Sequence, residues 1–264
     1  MEYSEIFDFA YDLAEKASKL ILEASAKRWV STSDLNEKKN SVDLVTETDE
    51  LVEQMIKSAV AEKYPHHKFI GEESFAAGDR SPLTDEFTWI GTMNPFVACS
   101  IGVAHMTRPV VGVIALPFLN QIFSAQLGGG AYMNRNIPLP LTGGIPQPLS
   151  DLSRCMIGAE CVDGGVMAHA LRTTGSTACN AVAVAAGQLD IYWMLSLGRL
   201  PIILNETGGF FAGGKDSLDA PVGQVMMGRR YIFVRAVPAT EIQHRLAREL
   251  YDVVDEWTNE DMMD

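Results

Sequence analysis

The stretch FTWIGTMNPFVACSIGVAHMTRPVVGVIALPFLNQIFSAQ, residues 87–126, decides the fold of this chain. Its apolar and β-branched residues form short runs that Gly and Pro separate, a texture typical of strands joined by turns. Together with one run just upstream, it predicts five strands: Lys68–Gly71, Phe87–Ile90, Val97–Val103, Val110–Ala115 and Ile122–Gln126. We therefore expect a mainly antiparallel sheet.

Two helices are predicted before this sheet. Apolar residues recur at helical spacing from Tyr3 to about Trp29, which indicates a long amphipathic helix. Polar residues at 31–34 and 37–40 form a charged link to a second helix. We expect that helix to start near Thr48, with Thr48 or Asp49 as its N-cap.

Strand and helix patterns alternate in the second half of the chain. The predicted elements are a strand near Met156–Glu160, a helix at Ser176–Ala186, a strand near Leu189–Trp193, a helix over Pro201–Thr207, strands at Gln224–Gly228 and Tyr231–Val237, and a helix from Thr240 to Val254. This order favours an α/β fold of the layered α+β type around two sheets. We expect a single domain with an N-terminal lobe over about 1–150, a C-terminal lobe over about 151–255 and an acidic tail over 256–264.

The composition narrows the class of partner. Hydrophobic residues make up 47% of the 264 positions, enough for a large core. The formal net charge of −13 argues against nucleic acid or an anionic membrane as the main partner, because the overall field would repel both. A small anionic substrate would need local neutralisation by a metal ion or by N–H groups at a helix start.

Several residues are interpreted as structural rather than chemical. No C-x-x-C pair occurs, so we expect buried free thiols at Cys99, Cys155, Cys161 and Cys179. Adjacent His66 and His67 after a proline are typical of a solvated turn. The N-terminus is acidic where a signal peptide would be basic, and no apolar run has the length of a membrane span, so a cytoplasmic location is expected.

The first chemical signal is a set of carboxylates. Asp43-Leu-Val-Thr-Glu-Thr-Asp49 is followed about twenty residues later by Phe69-Ile-Gly-Glu-Glu-Ser74, with its glutamates at the end of a predicted strand. Glu72 and Glu73 could offer the hard oxygen ligands that Mg²⁺ prefers. Taken alone, two glutamates in a loop are more often simply solvated.

The order of the motifs is more specific than any one motif. The first half contains DLVTETD, KFIGEES, TWI, GT and PFVACSIG, and the second half contains GGGAYMNRN, RTTGSTACN, AAGQLDIYW and NETGGFF. In this order the chain resembles the inositol monophosphatase family. The resemblance implies an αβαβα sandwich, Mg²⁺-dependent hydrolysis of inositol monophosphate to inositol and phosphate, and a possible homodimer.

The resemblance also implies roles for individual residues. Glu72 matches the family's first metal ligand, and Glu73 matches a neighbour that positions a metal-bound water. Asp49 and Thr92 match the pair that orients and deprotonates the attacking water. The matched substrate contacts are Gly91, Thr92, Ser176 and Thr177.

The chain departs from the family by several gaps, and two of these gaps fall on the metal and substrate sites. An Asp-Pro-Ile-Asp segment that binds metal is missing between Ile90 and Gly91, and a second short segment is missing between Asn94 and Pro95. A glutamate and a Trp-Asp pair that follow in the family are absent after Trp193. We therefore expect metal binding to be weakened and activity to be impaired, although the sheet and the long helices should persist.

Three hypotheses remain open at this point. The chain is a Mg²⁺-dependent phosphatase, or a catalytically dead relative kept for binding or dimer regulation, or a shortened version of an active enzyme. Clean gaps beside nearly unmodified flanks favour the third, because drift would substitute ligands. Two other motifs are interpreted as structural. Gly128-Gly129-Gly130 is more typical of a hairpin turn than of a phosphate loop, and Ser176 is typical of a helix N-cap.

Overall fold

A computed structural model of the chain describes residues 3–31, 41–71, 83–94, 98–143, 147–159, 168–172, 174–195, 201–226 and 230–254. The chain divides into two compact units, Met1–Pro138 and Leu139–Asp264, and each unit contains one sheet. The predicted acidic tail over 256–264 lies outside the described residues.

In the described part of the first unit, seven strands form one sheet and lie side by side in chain order. Among them only β1 and β2 pair in parallel, and all later neighbours are antiparallel, which confirms the predicted mainly antiparallel sheet. The strands are β1 (Lys68–Ile70), β2 (Thr88–Asn94), β3 (Ala98–His105), β4 (Arg108–Leu116), β5 (Gln121–Gln126), β6 (Gly130–Met133) and β7 (Ile137–Pro138).

Two long helices, α1 (Ser4–Ser31) and α2 (Ser41–Lys63), share one core with this sheet. Helix α1 turns Ala10, Leu13 and Ala17 inward, and none of the three is exposed. A fully buried side chain of leucine size stabilises the fold by about 1.5–3 kcal/mol relative to leaving it in water. The predicted first helix is therefore confirmed, with its apolar stripe as the cause.

Helix α2 begins at Ser41, seven residues before the predicted start. The expectation that Thr48 or Asp49 caps it is wrong, because both residues lie within the helix. Leu44 and Val45 stand seven residues before Leu51 and Val52, so the helical spacing already extends upstream of Thr48. A residue type that favours caps does not by itself start a helix.

His67 lies in an aromatic stack rather than on a solvated turn. Its ring stacks on Tyr64 at a centroid distance of 4.6 Å and on Phe87 at 4.7 Å. The indole Nε1 of fully buried Trp89 donates a hydrogen bond to His67 Nδ1 at 3.0 Å. The prediction is right for exposed His66 and wrong for His67, because the buried indole needs an acceptor.

The Gly128-Gly129-Gly130 run forms the turn between β5 and β6. The amide of Gly129 donates to the carbonyl of Gln126 at 2.8 Å, and the two strands that the turn joins, β5 and β6, pair in antiparallel fashion. Gly128 and Gly130 have φ angles of 70° and 80°, a backbone region that side chains with a Cβ rarely adopt. The hairpin interpretation is confirmed.

Five strands of the described residues form the sheet of the second unit, in the order β11, β12, β10, β8 and β9. They are β8 (Met156–Ala159), β9 (Ala170–Arg172), β10 (Ile191–Leu195), β11 (Phe210–Ala212) and β12 (Arg230–Val234). The helices among the described residues of this unit are α3 (Thr177–Ala185), α4 (Pro201–Glu206), α5 (Val222–Val225) and α6 (Thr240–Tyr251). Leu246 and Ala247 of α6 are fully buried in one cluster with Ile191 of β10 and Ile232 of β12.

The strand predicted at Gln224–Gly228 is wrong where the structure describes it. The chain forms the short helix α5 there, directly after Pro221. Val222, Val225 and Met226 follow the i, i+3, i+4 spacing of a helix, and the proline suits a helix start. Residues 227–229 lie outside the described part.

An ion pair fastens β10 to its neighbours in the second unit. Arg235 Nε donates to Asp190 Oδ1 at 2.5 Å, and the amide of Met156 donates to Asp190 Oδ2 at 2.7 Å. The side chains of Asp190 and Arg235 are 19% and 13% exposed, so water screens this pair only weakly.

None of the described helices is both long enough and apolar enough to cross a membrane.

Candidate functional site

Gly91 and Thr92 lie within strand β2, which continues unbroken from Thr88 to Asn94. Gly91 pairs with Ile101 and Thr92 with Ser100 across the β2–β3 ladder. The backbone at both positions is therefore extended and part of a sheet, rather than a loop that leads into a helix. β1 ends at Ile70 opposite Ile90, so its pairing with β2 stops where Gly91 begins.

Asp49 lies near the same end of the sheet. It is half-buried in α2, and its negative charge acts on the thiol of Cys99. Complete burial of Cys99, and then the Asp49 carboxylate, raise the pKa of that thiol to about 12. Because Cys99 pairs with Met93, the structure brings Asp49 together with the end of the β2–β3 ladder that contains Thr92.

Glu53 is a residue of this region that the sequence analysis missed. Its carboxylate lies against Gly71, where a Cβ atom would come within 1.9 Å of Glu53 Oε1. A glycine is therefore required at Gly71, or Glu53 must move. The sequence does contain a signal for Glu53. Asp49 and Glu53 are four residues apart, the spacing that puts two side chains on one face of a helix.

Glu72 and Glu73, the predicted metal ligands, lie outside the described residues. Within the described part of the chain, no three His, Cys, Asp or Glu side chains converge as a metal site would require. Asp49 and Glu53 supply two carboxylates near the sheet end, whereas a cluster of two or three ions needs several ligands for each ion. The described residues therefore do not fit such a cluster.

Ser176 and Thr177 belong to the second unit, at the start of α3. Ser176 is the N-cap of this helix: its buried Oγ accepts a hydrogen bond from the amide of Cys179 at 3.4 Å. Thr174 Oγ1 in turn accepts from the amide of Ser176 at 3.3 Å. The cap interpretation is confirmed, and the Ser176 hydroxyl is already engaged by its own helix.

The chain after Trp193 contains no acidic side chain where the resemblance leads one to expect a glutamate. β10 continues through Met194 and Leu195, which pair with Tyr231 and Arg230 of β12. The next residues, 196–200, lie outside the described part, and their sequence SLGRL is also free of acids. Residues 194 and 195 therefore continue the β10–β12 ladder at the sequence positions where the resemblance implies an acid.

Comparison with known proteins places these features in context. The model of the inositol monophosphatase family matches residues 2–254. The protein qutG of Emericella nidulans is 35% identical, with 95% of this chain and 93% of that protein aligned. Human inositol monophosphatase 1 is 32% identical, with 94% and 95% aligned. The quinic acid degradation cluster protein x of Neurospora crassa is 32% identical, with 94% and 91% aligned.

The lengths of these alignments bear on the missing segments. The alignment with qutG covers 308 positions and that with the human protein covers 278, whereas the whole chain has 264 residues. Both relatives therefore have residues in the aligned region that this chain lacks, in agreement with the gaps inferred from the motifs.

Solved structures share the fold of the chain. Inositol monophosphatase-II from Staphylococcus aureus has a TM-score of 0.70 at 21% identity, with 94% of this chain and 95% of that chain covered. The inositol monophosphatase from Anabaena has a TM-score of 0.69 at 22% identity, with 96% and 98% covered. At this level of identity the likeness establishes the layered α+β fold alone.

Proposed function

This chain belongs to the inositol monophosphatase family, and from that premise we propose that it is a phosphatase of small phosphorylated polyols whose Mg²⁺-dependent turnover is reduced to a trace. The proposed residues are Asp49 and Thr92 for orienting water, with Glu72 and Glu73 for the metal. Gly91, Thr92, Ser176 and Thr177 are the proposed substrate contacts.

One observation supports the reduced turnover above the others. Strand β2 crosses the junction of Ile90 and Gly91 without a break, and its partner β3 pairs with it on both sides of that junction. A loop at this point is where the family's Asp-Pro-Ile-Asp segment would present its carboxylates. A continuous ladder offers no such loop, so these ligands have no place from which to converge.

The size of the loss follows from the missing charges. Mg²⁺ in such an enzyme supplies an activated water and neutralises the phosphate and the leaving oxygen. Removing one well-placed electrostatic stabiliser costs about 10²–10³ in rate. Since at least two metal-binding aspartates are absent between Ile90 and Gly91, we expect turnover at least about 10⁴-fold below that of an intact relative.

The direct test is hydrolysis of inositol 1-phosphate with and without several millimolar Mg²⁺. The matched variant carries Asp-Pro-Ile-Asp inserted between Ile90 and Gly91, and it should hydrolyse the ester at least about 100 times faster than the natural chain. The control carries the same four residues in the exposed turn at Gly143, and it should show no gain. Turnover of the natural chain close to that of human inositol monophosphatase 1 would overturn the proposal.

Calorimetric titration with Mg²⁺ gives an independent readout. We expect no saturable heat at micromolar metal for the natural chain, because a single Mg²⁺ held by one or two carboxylates keeps most of its waters. If saturable heat appears and Glu72→Gln removes it, a working metal site is present. In that case the trace activity must have another cause.

A further inference from the structure

A cavity of about 260 Å³ lies in the first unit between the start of α1 and the hairpin of β5 and β6. Two glycines of the turn, Gly129 and Gly130, form part of its wall. Its other lining residues are Ser4, Phe7, Asp8, Gln126, Tyr132 and Arg135. This volume is below the roughly 300 Å³ at which pockets for drug-sized ligands begin, so it suits a single small ring.

The cavity lies far from the proposed catalytic end of the same sheet. Gln126 of the cavity pairs with Val111, whereas Cys99, beside Asp49, pairs with Ala115 four residues further along β4. Four residues of strand span about 13 Å, and the three strand spacings from β2 to β5 add about 14 Å at right angles. The two places are therefore about 20 Å apart.

Arg135 in the wall of the cavity contacts two carboxylates and an aromatic ring. Its Nη1 donates to Asp8 Oδ1 at 2.6 Å, and its Nη2 lies 3.7 Å from Asp12 Oδ1. The guanidinium also lies 4.0 Å from the centroid of the Tyr11 ring. A side chain already fixed in this way loses little freedom when a ligand binds, which favours affinity.

The charges of the wall select against an anion. Asp8 in the wall already pairs with the single guanidinium of Arg135, and Asp12, which does not line the cavity, lies on the same guanidinium. The whole chain has a formal charge of −13. A phosphate or carboxylate would therefore find no uncompensated positive charge in the cavity. This also argues against a phosphate-binding role for the neighbouring Gly128-Gly129-Gly130 turn.

The polar groups of the wall match a ligand with several hydroxyls. Ser4 and Tyr132 contribute hydroxyls that make no hydrogen bond to the described residues. Asp8 offers carboxylate oxygens as acceptors, and the Gln126 amide both donates and accepts. The Phe7 ring adds an apolar surface on which the C–H face of a saturated ring can pack.

We propose that this cavity binds a neutral hydroxylated ring, such as a monosaccharide or a cyclic polyol. The mixed donors and acceptors, the apolar ring surface and the small volume each fit that class. The binding is separate from the catalytic end, so it holds whether or not the chain hydrolyses a phosphate ester. A ligand of this size should bind with a dissociation constant in the millimolar range.

The test compares three probes that share one ring and differ in charge: glucose, glucuronate and glucosamine. We expect saturable binding of glucose by ligand-observed NMR, and glucuronate should bind at least about tenfold more weakly because Asp8 repels it and Arg135 is already paired. No saturation by glucose up to 50 mM would overturn the proposal. Equal binding of glucuronate, or tenfold tighter binding of glucosamine, would overturn it as well, because the cavity would then select by charge in another way.

Two variants locate the binding. Tyr132→Phe keeps the ring and removes the hydroxyl, and it should weaken glucose binding about 2–10-fold. Tyr64→Phe is the matched control, since the Tyr64 hydroxyl donates to Glu5 and does not line the cavity. Ser4→Phe should fill the cavity and abolish binding while the melting temperature stays near that of the natural chain. Unchanged glucose binding in Ser4→Phe would place the sugar elsewhere and overturn the proposal.

Discussion

Replacing His67 with phenylalanine should destabilise the first unit measurably although the ring stack remains. Phenylalanine can still stack between Tyr64 and Phe87, but it offers no acceptor to the indole of Trp89. Trp89 is fully buried, so its N–H cannot turn to water instead. Leaving a buried donor unsatisfied costs about 1–3 kcal/mol.

The expected loss can be read as a melting temperature. For a chain of this size about 1 kcal/mol corresponds to roughly 2–4 °C, so His67→Phe should lower the midpoint by about 2–12 °C in thermal unfolding followed by tryptophan fluorescence. His66→Phe is the matched control, because it makes the same substitution one residue earlier at an exposed position. A His67→Phe midpoint equal to that of His66→Phe would refute the reasoning.

The same residue predicts a dependence on pH. Burial, and then the nearby charges of His105 and His66, lower the pKa of His67 below its ordinary value of 6.5. The unfolded chain then binds the proton more readily than the folded one. The contribution of His67 to stability is therefore complete above pH 6.5 and is lost as the pH falls through the folded-state pKa. Protonated Nδ1 also cannot accept from Trp89. Between pH 7 and 5, the natural chain should therefore lose more stability than His67→Phe, and equal losses would contradict this.

Two further predictions concern the second unit and the thiols. Asp190→Asn should cost about 3–5 kcal/mol in urea unfolding because it leaves Arg235 weakly screened and unpaired, whereas Asp252→Asn at the exposed pair with Lys215 should cost under about 1 kcal/mol. Burial, with smaller contributions from nearby charges, raises the pKa of Cys99 and of Cys155 to about 12, so neither should react with iodoacetamide at pH 8 until the chain unfolds, as peptide mass spectrometry would detect.

The sequence predicts the regular elements well where one period dominates. The long stripe of α1 and the apolar runs of β3, β4 and β5 each have a single interpretation, and the structure contains all of them. Short segments contain too few residues for one period to dominate. Val222–Val225 can be read as a strand or as one helical turn, and only the context after Pro221 decides for the helix.

The candidate site was harder to predict for a physical reason. The resemblance implies that Asp49 and Thr92 act together. It does not say which path the backbone takes between Ile90 and Gly91, where relatives have additional residues. The environment of His67 was missed for a similar reason, because the buried Trp89 that donates a hydrogen bond to it lies 22 residues away in the sequence. Glu53 was missed although its spacing from Asp49 was visible, since nothing in the sequence links it to Gly71.

The gap at Ile90 and Gly91 differs in kind from the loss of single ligands. Substituted aspartates would leave a loop of the original length, whereas the deletion lets Gly91–Asn94 continue the β2–β3 ladder. Reinserting Asp-Pro-Ile-Asp would end that ladder, because proline cannot donate within it and each lost hydrogen bond costs about 0.5–1.5 kcal/mol. The insertion variant should therefore be more active and less stable than the natural chain. If it gained activity with no loss of stability, the continuous strand would not be what excludes the metal site.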